Sequence, residues 1–262
     1  MVQLFRHTAQ PAGELDIKQI VGRMVEFRKT LAAVKRQLAP TDFSWYPYDS
    51  LTNFFPLEQL LRGGDRFLLD LVGSDPVLDI GCGDGDVSFF LESLGCALQS
   101  IDNPPTNFNR MQGVQALKTA LNSSVEIFEM DIDARFEPPR DRYGLAVFFG
   151  TLYHLKNPYY ALETLAKHAR YGLVSTRVAR VSPDKRTNFQ KLPVAYLLDE
   201  MEANGDATNY WIFSEAGLRR ILTRAGWDVR EYITTGYTLN SDPANSDADE
   251  RAFCFLKSRN FG

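Results

Sequence analysis

The sequence predicts an α/β protein built on a doubly wound, mostly parallel sheet, and three observations carry that expectation. From residue 77 onward, short apolar runs alternate with helix-period segments, the pattern of strands crossed over by helices on both faces of a sheet. The first run leads straight into VLDIGCGDG, where Asp79 is followed by glycines at alternating positions 81, 83 and 85. The last two runs, WDVREYIT and RAFCFLK, flank a polar loop and suit an antiparallel hairpin that closes the sheet. Seven strands are expected, with only the last antiparallel, preceded by an N-terminal helical extension.

In chain order, residues 1–14 read as a loose tail. Between 16 and 38, Ile17, Ile20, Val21, Met24, Phe27, Leu31, Val34 and Leu38 recur at helical spacing, and Pro40 stops the pattern. An aromatic segment with two prolines, FSWYPYDSLTNFFP, covers 43–56, and a second helix is expected over about 56–72, with Gly63 and Gly64 as a kink or break. Strands follow near 77–80, 97–102, 125–130, 145–149 and 172–178, with helices near 85–94, 110–121 and 157–170. Gly95 stands where a helix C-terminal glycine belongs, Asn157 can cap the third of these helices, and Pro158 suits its first position. An insertion over about 179–210 is rich in charge and aromatics. Beyond it Ser214 caps a helix carrying Leu218, Ile221 and Leu222, ended by Gly226. The organisation is therefore a tail (1–14), a helical extension with its aromatic segment (15–72) and a sheet domain (73–262).

Bulk properties narrow the class. At 262 residues and 44% apolar the chain can bury a full core. A net charge of −4 and a pI near 5.5 give no general attraction for nucleic acid, although a local basic patch is compatible with them. There is neither a run of eighteen apolar residues nor a charged-then-apolar leader, so the expectation is a cytoplasmic protein with no membrane partner. Cys82, Cys96 and Cys254 are odd in number and widely spaced, which suits reduced thiols; with His7, His154 and His168 they make no zinc spacing, and no metal is expected.

The glycine turn indicates the ligand. Val77, Leu78 and Ile80 form a buried strand, and the glycines let the backbone turn tightly and admit a ligand against it. A dinucleotide fingerprint reads GxGxxG, whereas this turn reads GxGxG with Asp79 two residues before it. A second strand, ALQSID, ends in Asp102, whose carboxylate can accept hydrogen bonds from both ribose hydroxyls. In these residues the chain resembles the class I S-adenosylmethionine (SAM) methyltransferases. The resemblance implies a Rossmann-like fold, SAM as cofactor with S-adenosylhomocysteine (SAH) as product, and a cofactor site built from Asp79, Gly81, Cys82, Gly83, Asp102 and Asn103. It also implies an acid beside the adenine amino group, for which Asp131 is the candidate, with Ile132 packing on the ring. Ligands of open sheets sit outside the carboxyl ends of the strands, which puts Phe149, Gly150 and Thr151 near the sulfonium or ribose.

The phrase LYHLKNP, the aromatic segment and NYWIFSEAGLRRILTRAGW narrow the resemblance to the branch containing the bacterial tRNA wobble-uridine carboxymethyltransferase. In that branch a tyrosine of LYH, an arginine opening the last strand and a lysine in the aromatic segment hold the carboxylate of carboxy-SAM. Tyr153 and Arg251 match the first two; no cation stands between Phe43 and Glu58, so the lysine does not carry over. Charge-assisted hydrogen bonds are about twice as strong as neutral ones, and the missing cation favours ordinary SAM.

Methyl transfer by in-line displacement from a sulfonium needs alignment and exclusion of water more than acid catalysis. His154 is a candidate base, or else orders its loop; Tyr153 is a second catalytic candidate or a wall residue. Trp45, Tyr46 and Tyr48 either form a lid over the cofactor or anchor the helical extension. Arg177, Arg180, Lys185, Arg186 and Lys191, with nearby Arg170, make the insertion basic against one acid, Asp184; either a phosphate-bearing acceptor or RNA uses it, or it is a solvated charged face. The leading expectation is methyl transfer to an O or N of a small or medium acceptor. The alternatives are a carboxy-SAM-dependent tRNA wobble-uridine modifier and a non-catalytic SAM-binding sensor.

Overall fold

The computed structural model describes residues 15–261. The expected tail at 1–14 lies outside the described residues. The chain forms two compact units: one runs up to Asp131 and includes Arg142–Val147, the other comprises Ile132–Asp141 and the chain from Phe148 on.

The first unit holds helices α1 (Ile17–Leu38), α2 (Leu57–Leu60) and α3 (Leu68–Val72), then β1 (Val77–Ile80), α4 (Asp86–Ser93), β2 (Leu98–Asp102), α5 (Gln112–Leu121), β3 (Glu126–Glu129) and β4 (Tyr143–Phe149) up to Val147. Asp16 starts α1 with a capping box: its carboxylate accepts from Gln19 N at 3.0 Å, and the Gln19 side chain accepts from Asp16 N at 2.9 Å. The helical stripe is buried as its spacing predicts, from Ile17 to Val34, but Leu38 in the last turn is exposed. Phe27 of α1 and Phe54 both lean on Phe90 of α4, at 5.5 and 5.0 Å between ring centroids.

One expectation is corrected here. The helix expected over 56–72 is broken into α2, a 3₁₀ turn over Gly63–Arg66 and α3, because Leu61 turns extended and Gly63 takes φ +54°. Similarly, α5 starts at 112 rather than 110, since Arg110 and Met111 adopt left-handed backbone. The strands pair in parallel in the order β3-β2-β1-β4. All four β1 residues are buried, as suits a strand flanked on both edges and covered on both faces. The order steps away from β1 through β2 to β3 and then returns to its other edge with β4. That reversal puts a topological switch point at the carboxyl end of β1, where the glycine turn begins.

The second unit holds α6 (Pro158–His168), β5 (Ala169–Val178), β6 (Ala195–Leu197), β7 (Trp211–Phe213), α7 (Glu215–Arg224), β8 (Trp227–Gly236) and β9 (Glu250–Ser258). β9 lies antiparallel to β5 over eight paired positions and antiparallel to β8, which is the expected closing hairpin. The seven expected strands are thus β1–β5, β8 and β9. Two short strands are added by the insertion and the residues just after it: β7 extends β5 in parallel at Val178–Phe213, and β6 pairs antiparallel with β7. Their cluster is small, with Ala179, Phe189, Leu198, Ala203 and Ile212 at its centre and Tyr153 packed on it.

Pro158 opens α6 as expected, but Asn157 makes no capping bond with its side chain. The Asp133 carboxylate instead accepts from the N–H groups of Lys156 and Asn157 at 2.9 and 2.8 Å, and Asn157 Nδ2 donates to the Asp133 carbonyl. Ser214 does cap α7, accepting from Gly217 N at 2.9 Å. Among the described residues no helix is long and apolar enough to cross a membrane.

Candidate functional site

The glycine turn is held by backbone that only glycine adopts freely. Gly81, Gly83 and Gly85 take φ of +71°, +59° and +84°, and a side chain at 85 would also strike Phe89 and Val114 at 2.7 Å. Gly81 N donates to Ile101 O at 2.8 Å, fixing the turn to the end of β2. There Asp102 meets the turn directly: Oδ2 accepts from Gly83 N at 2.8 Å and from Asn107 Nδ2 at 2.9 Å, and Oδ1 from Asn103 N at 2.8 Å. Burial pushes its pKa above the usual carboxylate value, against the pull of those three donors. A carboxylate offers about four lone-pair positions, so with three taken Asp102 keeps room for one hydroxyl donor, which fits one ribose hydroxyl rather than two.

Asp79 faces inward. It is buried, accepts from Ser88 Oγ at 2.5 Å, and Ser88 in turn meets Ser100 Oγ at 2.7 Å. Burial raises its pKa to about 7. Cys82 is also buried, and burial beside Asp102 and Asp79 pushes its thiol well above the usual range, so it lines the turn as a neutral group. Asp131 is exposed and Ile132 buried.

Beside the turn lies a buried ionic group that spacing did not reveal. Lys35 of α1 places its Nζ 3.2 Å from Asp84 Oδ2, and 2.8 and 3.0 Å from the two Asp86 oxygens. Asp84 Oδ2 also accepts from Tyr46 N at 2.9 Å, and Oδ1 from Asn109 Nδ2 at 2.8 Å; the same Asn109 amide donates to Ser44 O at 3.1 Å. Burial pulls the Lys35 ammonium down, but the two carboxylates outweigh it and leave its pKa raised. Burial raises that of Asp86, outweighing the pull of Lys35, and the neighbouring Asp84 charge adds to the rise.

This group brings the aromatic segment to the turn. The Tyr46 ring lies 3.7–4.0 Å from where a Cβ on Gly83 would stand, with Tyr48 and Phe108 against it at 5.5 and 6.1 Å. Tyr48 and Phe108 are exposed. Trp45 packs edge-on to Phe43 and has Lys35 Nζ 5.4 Å from its ring. A lysine therefore does reach the aromatic segment, from α1, but its ammonium is committed to Asp84 and Asp86.

The remaining candidates lie in the second unit. Phe149, Gly150 and Thr151 are half-buried at and after the end of β4, and Gly150 takes φ +69° while its N–H donates to Ser175 O at 2.9 Å. A Cβ at Gly150 would stand 3.3 Å from Arg251 Nη1 and 3.9 Å from the Tyr153 hydroxyl; Arg251 Cζ is 5.8 Å from the Tyr153 ring centre. The structure thus gathers Gly150, Tyr153 and Arg251. His154 turns its Nδ1 to Thr208, 3.2 Å from the carbonyl and 3.0 Å from the hydroxyl, the bonding of a loop-ordering residue. Burial lowers its pKa and favours the neutral ring.

The basic insertion is largely paired within its own unit. Arg180 forks onto the buried Glu250 at 2.7 and 2.6 Å, Arg177 Nε meets Asp249 at 2.6 Å, and Lys185 pairs with Asp242. The acids that neutralise it come from the loop and strand near the C-terminus.

Sequence reasoning missed Lys35, Asp84, Asp86, Asn107 and Asn109. Two of these stood in or beside the motif already in view, and an acid inside a glycine turn was their one local signal.

A family model described as a methyltransferase domain matches residues 51–232. No curated protein sequence matches the chain. Among solved structures, the N-terminal domain of EvdMO1, studied in the presence of SAH and D-fucose, is 17% identical with a TM-score of 0.54, covering 88% of this chain and 96% of that domain. A methyltransferase from Bacillus halodurans aligns with a TM-score of 0.53 at 13% identity, over 74% of this chain and 97% of its own. TehB from Haemophilus influenzae gives 0.51 at 19%, over 73% of this chain and 60% of that one. At these identities the likeness is one of fold, whereas the family model spans more than half of the sequence: the chain belongs to the methyltransferase-domain family.

Proposed function

We propose that the chain is a SAM-dependent methyltransferase that moves a methyl group to an oxygen or nitrogen of a small or medium acceptor. The observation that carries this reading is the GxGxG turn at the carboxyl end of β1, with Asp102 fixed on the Gly83 N–H and one acceptor position open. The EvdMO1 domain, of similar fold, is described with SAH, and that description supports the same ligand here. When bound, SAM supplies an electrophilic methyl group. This chain's part is to hold and shield: Asp102 accepts a ribose hydroxyl, the bare Gly83 backbone lets the ligand lie close, and Tyr46 excludes water from that side. His154, neutral and bonded to Thr208, orders the loop after β4 rather than taking a proton from the acceptor.

Isothermal titration with SAH tests the site. Asp102→Ala is expected to weaken binding tenfold or more, about 1.4 kcal/mol; unchanged affinity would remove Asp102 from it. A second reading, carboxy-SAM-dependent modification of a tRNA wobble uridine, is favoured by the approach of Arg251 to Tyr153. Against it stand the commitment of Lys35 to two acids and the internal pairing of the basic insertion. Tighter binding of carboxy-SAM than of SAM would reverse the order of the two readings.

A further inference from the structure

We propose that Lys35 is a positioning residue for the cofactor turn, setting through Asp84 how closely the aromatic segment 43–48 lies against it. The inference rests on the SAM reading for its affinity readout, but its geometry stands within the first unit alone. Asp84 sits between Gly83 and Gly85, so its backbone is the turn itself, while its carboxylate receives three separate stretches of chain. One oxygen takes the Lys35 ammonium and the Tyr46 N–H; the other takes Asn109, whose amide also holds the carbonyl of Ser44. Tyr46 thereby places its ring over the bare face of Gly83.

The ammonium is what lets two carboxylates stay side by side inside the fold. Without it Asp84 and Asp86 are like charges out of water, and Asp84 Oδ2 loses the cation it shares with the Tyr46 N–H, which frees its side chain to swing towards solvent. Such a swing releases Tyr46 N and Asn109 together. The turn then loses its aromatic cover while Asp102 keeps its place on the Gly83 N–H.

The experiment measures SAH affinity by titration and Trp45 emission in the unliganded protein for Lys35→Met, Lys35→Arg, Tyr46→Ala and the double variant Lys35→Met with Tyr46→Ala. Because Lys35 lies 5.4 Å from the Trp45 ring, Lys35→Met should shift the Trp45 component of the emission, identified by its loss in Trp45→Phe. Affinity for SAH should fall at least tenfold in Lys35→Met and in Tyr46→Ala, and the double variant should be no weaker than the poorer single one, since both remove the same cover. Lys35→Arg should restore affinity to within about threefold, as a guanidinium can still bridge two carboxylates. If Lys35→Met does not fold, Lys35→Gln keeps a donor of similar reach but leaves both carboxylates uncompensated, and a loss in the same direction is expected, wild-type affinity in it overturning the proposal. Folded Lys35→Met with wild-type affinity and unchanged Trp45 emission overturns the proposal, as do additive losses in the double variant. Failure of the wild type to bind SAH would instead overturn the SAM reading, and a rise in acrylamide quenching of Trp45 in Lys35→Met, or its absence, would then decide whether Lys35 sets the segment.

Discussion

Replacing Gly113 by alanine should break the same group from the opposite side. Gly113 lies in the first turn of α5, and a Cβ built there would stand 2.1 Å from Asp84 Oδ1 and 2.7 Å from Asn109 Nδ2, the two atoms that bond each other at 2.8 Å. No side chain can occupy that point, so one partner must leave. Losing a buried hydrogen bond to a charged group costs about 1.5–3 kcal/mol, and overpacking adds about 1–3. Alanine returns up to ~1 kcal/mol in helix propensity, leaving a net destabilisation of about 1.5–6 kcal/mol. At 2–4 °C per kcal/mol, a chain of this size should lose roughly 3–24 °C in Tm. Gly22 is the internal control: it sits exposed in α1 with nothing within 4 Å of its Cβ position, and Gly22→Ala should stabilise by about 0.5–1 kcal/mol. Urea denaturation followed by circular dichroism measures both. The reasoning fails if Gly113→Ala lies within 1 kcal/mol of wild type, or if its penalty persists undiminished in an Asp84→Ala background.

Two further outcomes follow from single groups. Asp79 carries a pKa of about 7 in the fold against 3.8 for a free aspartate side chain, so the native state holds a proton that the unfolded chain has released; stability is fullest below about pH 4 and declines as pH rises through 7. Asp79→Asn keeps an acceptor for Ser88 and should flatten that decline, gaining up to roughly 4 kcal/mol on wild type at pH 8 and nothing at pH 4; identical slopes between pH 5 and 8 would refute the burial argument. Ser214 Oγ accepts from both Gly217 N and Val194 N, at 2.9 and 3.1 Å, so Ser214→Ala should cost about 2 kcal/mol in the same denaturation assay, and a loss under 0.5 would mean the cap is replaced by water.

What the sequence discloses depends on how local the responsible physics is. The α1 stripe, the strand before the turn and the positive-φ glycines are legible because each follows from spacing within a few residues. Asp102 is legible for a related reason, as the last residue of the strand beside β1. Lys35 is not, since its partners Asp84 and Asp86 lie 49 and 51 residues away and only the packing of α1 on α4 brings them together. Arg180 and Glu250, 70 residues apart, meet only through the β5–β9 register, which spacing along the chain does not reveal. Asn157 shows the opposite limit: the cap residue is the right type in the right place, but its side-chain amide donates to the carbonyl of Asp133, 24 residues earlier, and does not accept from the first turn of α6.

The pairing of Arg177, Arg180 and Lys185 has a consequence for how this surface meets a polyanion. A guanidinium already forked onto a buried carboxylate adds little to the field outside the protein, and a phosphate would have to displace Glu250 before gaining from it. Each phosphate of a single strand that a protein neutralises contributes about 0.7 to the salt exponent through released counterions. With Arg177, Arg180 and Lys185 neutralised from within, any binding of RNA to the insertion should fade only gently as salt is raised. Its selectivity would have to come from shape and from the aromatic rings rather than from charge.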